Sequence, residues 1–115
     1  MIKRAEELQR EVRKEMLGGQ GDVTLVHLLQ GEEFQGKGRL FSHNIINPGC
    51  SVGFHQHNGD VEAYYVLKGQ GVFDDNGVKS TVLAGDLLFT KDGEAHSLVN
   101  EGPETLEVIA LVLYA

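Results

Sequence analysis

The chain lacks most of what staples a small protein or carries it into a membrane. It has one cysteine, Cys50, among 115 residues, so no internal disulfide can form and nothing points to an oxidising compartment. No apolar run approaches the length that spans a bilayer. The opening "MIKRAEELQREVRKEML" has no apolar core of a signal peptide and no cleavage site, so the expected location is the cytoplasm. Bases are scarce. Ten Lys and Arg against seventeen Asp and Glu give a net charge of −7, which argues against nucleic acid or an anionic membrane as partner. A chain of this length is one domain's worth and can bury a core without covalent help.

Glycine is what the chain has in excess. Fifteen glycines against two prolines is about twice the usual share. They punctuate short apolar runs such as "VTLVHLL", "RLFSHNII", "AYYVL", "DLLF" and "LEVIALVLY", most of them ending in Gly, Asn or Asp. Many short strands between turn residues imply an all-β sandwich or barrel. After residue 22 no long 3.6-residue period occurs. The start differs, because Ile2, Ala5, Leu8, Val12 and Met16 fall near one helical face and Gly18-Gly19 would stop a helix. Residues 1–22 are therefore expected to form a short helix against the body, or an extended arm pairing with a neighbouring subunit. Residues 23–115 form the single β domain.

The chemistry concentrates in "GFHQHNGDVEAYYVLKG", residues 53–69. Positions i and i+2 diverge on a helix but share a face on a strand. On a strand His55 and His57 stand roughly 6.6 Å apart and can lean toward one point. "NGD" at 58–60 is strong turn chemistry. If it joins two antiparallel strands, His57 and Glu62 flank a hairpin, with cross-strand Cβ atoms about 4.5–5.5 Å apart. A further ligand is expected from another strand after another turn, and "GDLLFTKDGEAHSLVN" supplies His96 there.

These residues resemble the cupin family. Gly49, five residues, His55-x-His57, four residues, Glu62, six residues and Gly69 match its first motif at every position. Gly85 through Gly93, His96 and Asn100 match its second, except that Lys91 stands where the family usually has proline. The two motifs cover about half the chain, and the fifteen residues between them (70–84) suit the small single-domain bacterial cupins. The resemblance implies a double-stranded β-helix (jelly-roll) barrel holding one divalent metal on His55, His57, Glu62 and His96. Three imidazoles and a carboxylate suit Mn, Fe, Zn or Ni better than Ca or Mg. On an octahedral metal they leave two adjacent positions for water, dioxygen or a chelating substrate.

Strand alternation extends the site. With Glu62 inward, Tyr64 points in and Tyr65 out. With His96 inward, Leu98 and Asn100 follow. The resemblance places Ile46 inside, and with it Asn44 and Ser42, which turns His43 outward. The pocket is then mostly apolar and holds no Arg or Lys, with Tyr64 its candidate proton donor. His27 is read as structural, Cys50 as out of phase with the ligands, and "GQG" at 69–71 as a plain hairpin connection. A metal-dependent dioxygenase or decarboxylase acting on a small chelating molecule is the first functional expectation. A sugar-isomerase-like enzyme, a small-molecule or sugar binding or sensing cupin, and a structural cupin are the alternatives. The N-terminal arm and the apolar last strand suggest a homodimer.

Overall fold

The glycine-rich turns cut the chain into ten strands, as a computed structural model of all 115 residues shows. In order they are β1 (Arg10–Lys14), β2 (Asp22–Leu29), β3 (Gly38–Ile46), β4 (Ser51–Gln56), β5 (Asp60–Lys68), β6 (Gln70–Asp75), β7 (Val78–Leu83), β8 (Leu87–Thr90), β9 (Ala95–Val99) and β10 (Leu106–Tyr114). One sheet runs β1-β2-β3-β10-β5-β8 and the other β4-β9-β6-β7. All pairings are antiparallel. The chain crosses between sheets at β3–β4, β4–β5, β5–β6, β7–β8, β8–β9 and β9–β10. This alternation is the jelly-roll, double-stranded β-helix arrangement expected from the sequence.

The core follows from the period of two. On β10 Leu106, Val108, Ala110 and Val112 are buried while the residues between them are half-buried. They meet Leu40 and Ile46 of β3, Tyr64 and Val66 of β5, and Val52, Phe73 and Leu98 of the smaller sheet. Each fully buried Val, Leu or Ile contributes roughly 1.5–3 kcal/mol. At the β6–β7 hairpin Asn76 and Gly77 both adopt positive φ, 53° and 96°, as a tight two-residue turn requires.

The N-terminal segment is extended, so the helix alternative is not realised. Its helical elements are two 3₁₀ turns, Ala5–Glu7 and Met16–Gly18, and between them β1 pairs with β2 of its own chain from Arg10↔Val26 to Lys14↔Asp22. Tertiary pairing overrides the local 3.6-residue pattern. The backbone of β2 offers a free edge, and the Glu11 carboxylate meets His27 Nε2 at 2.7 Å. That contact gives His27 its structural role. After β1 the chain turns through Met16–Gly18 and lies against β4. There Gly19 and Gly53 approach so closely that a Cβ on either would strike the other segment's backbone. The arm thus becomes one lip of the barrel mouth.

Candidate metal centre

Four side chains from three parts of the fold converge inside that mouth. His55 comes from β4, Glu62 from β5 and His96 from β9. His57 lies just past the end of β4 rather than on it. Its backbone is held by bonds from its N–H to the Glu94 carbonyl (2.8 Å) and from the Gly93 N–H to its own carbonyl (2.7 Å). The hairpin expectation is corrected here. β4 and β5 belong to opposite sheets, so "NGD" carries the chain across the barrel instead of folding one strand on the other. The ligands meet across the sandwich. His55 and His96, by contrast, are cross-strand partners in the smaller sheet.

The donor atoms have metal-site spacing. Nε2 of His57 and Nε2 of His96 are 3.2 Å apart, as are Nε2 of His96 and Nε2 of His55. Glu62 Oε1 is 3.0 Å from His57 Nε2 and 3.1 Å from His96 Nε2. All the ligand atoms of the four residues lie within 4.8 Å of one another. Separations near 3 Å are the edges of an octahedron with bonds of about 2.1 Å, the usual metal–imidazole length. The residues therefore fit a divalent metal and could hold one.

The far sides of the rings support this fit. His55 Nδ1 donates to the Gly53 carbonyl at 2.7 Å, and His57 Nδ1 to Asp60 Oδ1 at 2.6 Å. Neither acceptor can donate, so in the neutral rings Nε2 carries a bare lone pair aimed at the centre. His96 Nδ1 meets the Thr90 hydroxyl at 2.6 Å, and the ring is sandwiched by Tyr64, stacked at 5.4 Å, and the edge-on Phe73 at 5.6 Å.

Burial and neighbours set the charges. Burial lowers the His55 pKa below its ordinary 6.5. The Glu62 carboxylate raises His57 above it, against the effect of burial and with help from Asp60. Burial alone would raise Glu62 and Asp60. Hydrogen bonds from His57 and His96 outweigh it at Glu62, and those from His57 and Arg39 at Asp60, so both stay below their ordinary values. Burial, and then the nearby Glu62 carboxylate, push the Tyr64 phenol well above 10.0. Tyr64 stays protonated.

Above the centre is a cavity of about 290 Å³. Tyr64 lines it, while Tyr65 is exposed on the other face. His43 points outward and pairs with Glu107 at 2.7 Å. The other alternation residues are inward but deeper. Ser42 and Asn44 are buried and bonded to each other at 2.6 Å, which leaves Asn44 Nδ2 without a partner. Ile46 and Leu98 belong to the apolar core. Asn100 clamps a loop, donating to the carbonyls of Ile46 and Glu104 and accepting from the Gly102 N–H. None of these five lines the cavity. Phase sets which way a strand residue faces but not its depth along the barrel.

The expectation of a pocket without Arg or Lys is also corrected. Arg13 of β1 and Arg39 of β3 both line the cavity, as does Asp60. Arg39 Nε donates to Asp60 Oδ2 at 2.9 Å, so Asp60 joins Arg39 to His57. Asp60 was legible as the Asp of "NGD", three residues after His57. The arginines were not, because their placement depends on the arm's pairing and on side-chain length.

Comparison with known proteins agrees with the fold. Residues 42–113 match the cupin domain family. An oxalate-binding protein of Thermotoga maritima is 44% identical over 113 residues, covering 98% of this chain and 93% of that protein. The crystal structure of a predicted oxalate decarboxylase from Thermotoga maritima superposes with a TM-score of 0.95 at 43% identity, covering 100% of both chains. A polyketide cyclase from Streptomyces resistomycificus has a TM-score of 0.79 at 22% identity, covering 99% of this chain and 80% of its own, and shows the fold alone. The matched domain spans well over half the chain and includes all four converging side chains, so the protein belongs to the cupin family.

Proposed function

We propose that the protein holds one divalent transition metal on His55, His57, Glu62 and His96 and uses it to bind a small chelating dicarboxylate, with oxalate the first candidate. The convergence of three oriented Nε2 atoms and one carboxylate at the base of the cavity carries this reading. Charge supports it. Arg13 is paired with Glu11 and Arg39 with Asp60, which leaves Glu62 as the one uncompensated charge among the lining residues, so a divalent ion would keep a net positive charge to attract an anion. The name of the Thermotoga maritima relative points the same way.

A bound ion would supply positive charge and Lewis acidity. The chain's own residues do the rest. Asp60 and Gly53 fix two imidazole orientations, Thr90 meets the third ring, and Tyr64 and Phe73 hold that ring in place. Turnover of the decarboxylase or dioxygenase type is the second reading, and Tyr64 favours it. Breaking a carbon–carboxylate bond leaves a carbon that takes up a proton, and Tyr64 is a protonated acid lining the cavity outside the ligand set. The sugar-isomerase alternative needs a free base. Beyond the ligands the cavity offers only Asp60, and both of its oxygens are engaged.

Calorimetry of the manganese-loaded protein with oxalate tests the binding reading. Saturable binding at about one oxalate per chain, lost when the metal is chelated, is the expected result. Absence of binding to the loaded protein overturns it. Formate or carbon dioxide release in the same samples decides between binding alone and turnover.

A further inference from the structure

The mouth of the cavity carries a feature that oxalate would not use. Oxalate has adjacent carboxylates and can chelate a metal without extending beyond it, and it would leave much of the 290 Å³ to water. Arg39 lines the cavity and is linked to the ligand centre through the Asp60 carboxylate and the His57 ring. Asp60, itself buried, anchors the guanidinium through Nε alone. Neither Nη group makes a hydrogen bond within the chain, and the side chain is half exposed at the cavity wall. A guanidinium held by one edge with its other donors free is preorganised to receive an anion. Arg13 lines the same cavity from β1. It is bound to Glu11 through Nε and Nη2 at 3.0 and 3.3 Å, which pairs its charge and leaves it the weaker of the two attractors.

We infer that the site takes chelating acids longer than oxalate: an α-hydroxy or α-oxo acid whose head meets the metal and whose distal carboxylate is received by Arg39, with Arg13 adding to the field. This rests on the metal-dependent reading above and adds a substrate class to it. The arm that forms β1 then has a functional consequence, since it brings Arg13 to the mouth.

A matched pair of ligands isolates the distal group. 2-Hydroxyglutarate and 2-hydroxypentanoate share a chelating head and chain length and differ in whether the far end is charged. With manganese-loaded protein, calorimetry is expected to show about tenfold tighter binding of 2-hydroxyglutarate, the scale of one hydrogen-bonded charge pair at a half-exposed site. In Arg39→Met, with metal content checked, that ratio should fall close to one. Arg13→Met, which leaves Asp60 untouched, should reduce the ratio less. Equal affinities in the wild-type protein, or a ratio that survives Arg39→Met, would overturn the inference. Oxalate separates the two levels. Oxalate binding without any tail preference defeats this inference alone, whereas failure of oxalate and both hydroxy acids to bind defeats the metal reading as well.

Discussion

His57 and His96 present their Nε2 atoms to each other at 3.2 Å, with Glu62 Oε1 within 3.1 Å of both. Two neutral Nε2 lone pairs at that separation repel unless a cation or a proton lies between them. In the metal-free chain the Glu62 carboxylate favours a proton, which is why the His57 pKa is raised. Metal and proton therefore compete for one place.

The competition fixes a pH dependence. A histidine must be neutral to bind metal. His57 is raised above 6.5 while His55 is lowered, so near neutrality His57 is the ring that must release a proton. Metal affinity should rise with pH by about tenfold per unit below the His57 pKa and level off above it. Without metal the sign at His57 is opposite. The stability from its raised pKa is present below 6.5 and is lost as pH rises through the folded value. Competition titrations with a chromophoric chelator from pH 6 to 8.5 check this. A flat affinity profile would contradict it.

Asp60 holds His57 by a 2.6 Å bond and is itself held by Arg39. Asp60→Asn weakens the acceptor and lets the amide donate, which favours the wrong His57 tautomer. Metal affinity should fall about 10–100-fold while the fold is kept. Titration of the variant beside the wild type measures this, with circular dichroism as the control. Unchanged affinity would show that Asp60 does not orient the ring.

How much of this was legible in the sequence depends on the range of the interaction. Turn residues and the period of two announced the β class, and motif spacing brought His55, His57, Glu62 and His96 together. Alternation placed Tyr64 inward and Tyr65 and His43 outward. Depth was not legible: Ser42, Asn44, Ile46, Leu98 and Asn100 face inward yet miss the cavity. Nor was the partner of residues 10–14, because only the tertiary fold offers them the edge of β2. Arg13 escaped for the same reason, and Arg39 because its long side chain reaches the cavity from an exposed position of β3.

Association remains an expectation, but its surface shifts. Both edges of β10 are paired, and β1 pairs within its own chain. Tyr65, Leu67, Leu87, Phe89 and Leu113 are instead exposed, with Tyr65 opposite Leu87 and Ala63 opposite Phe89 on neighbouring strands. An apolar patch of this kind on one sheet face suits a second copy of the chain. Light scattering at micromolar concentration should give a dimer mass, and Leu87→Glu with Phe89→Glu a monomer. A wild-type monomer would remove the proposal.

Metal content is the most direct measurement. Protein purified from manganese-supplemented cells and passed through a desalting column should carry on the order of one transition-metal ion per chain by elemental analysis. The His55→Ala, His57→Ala and His96→Ala triple variant, folded by circular dichroism, should carry less than about a tenth of that. Equal metal in the two proteins would show that the ion, if bound, is held elsewhere, and that the four converging side chains are not a metal centre.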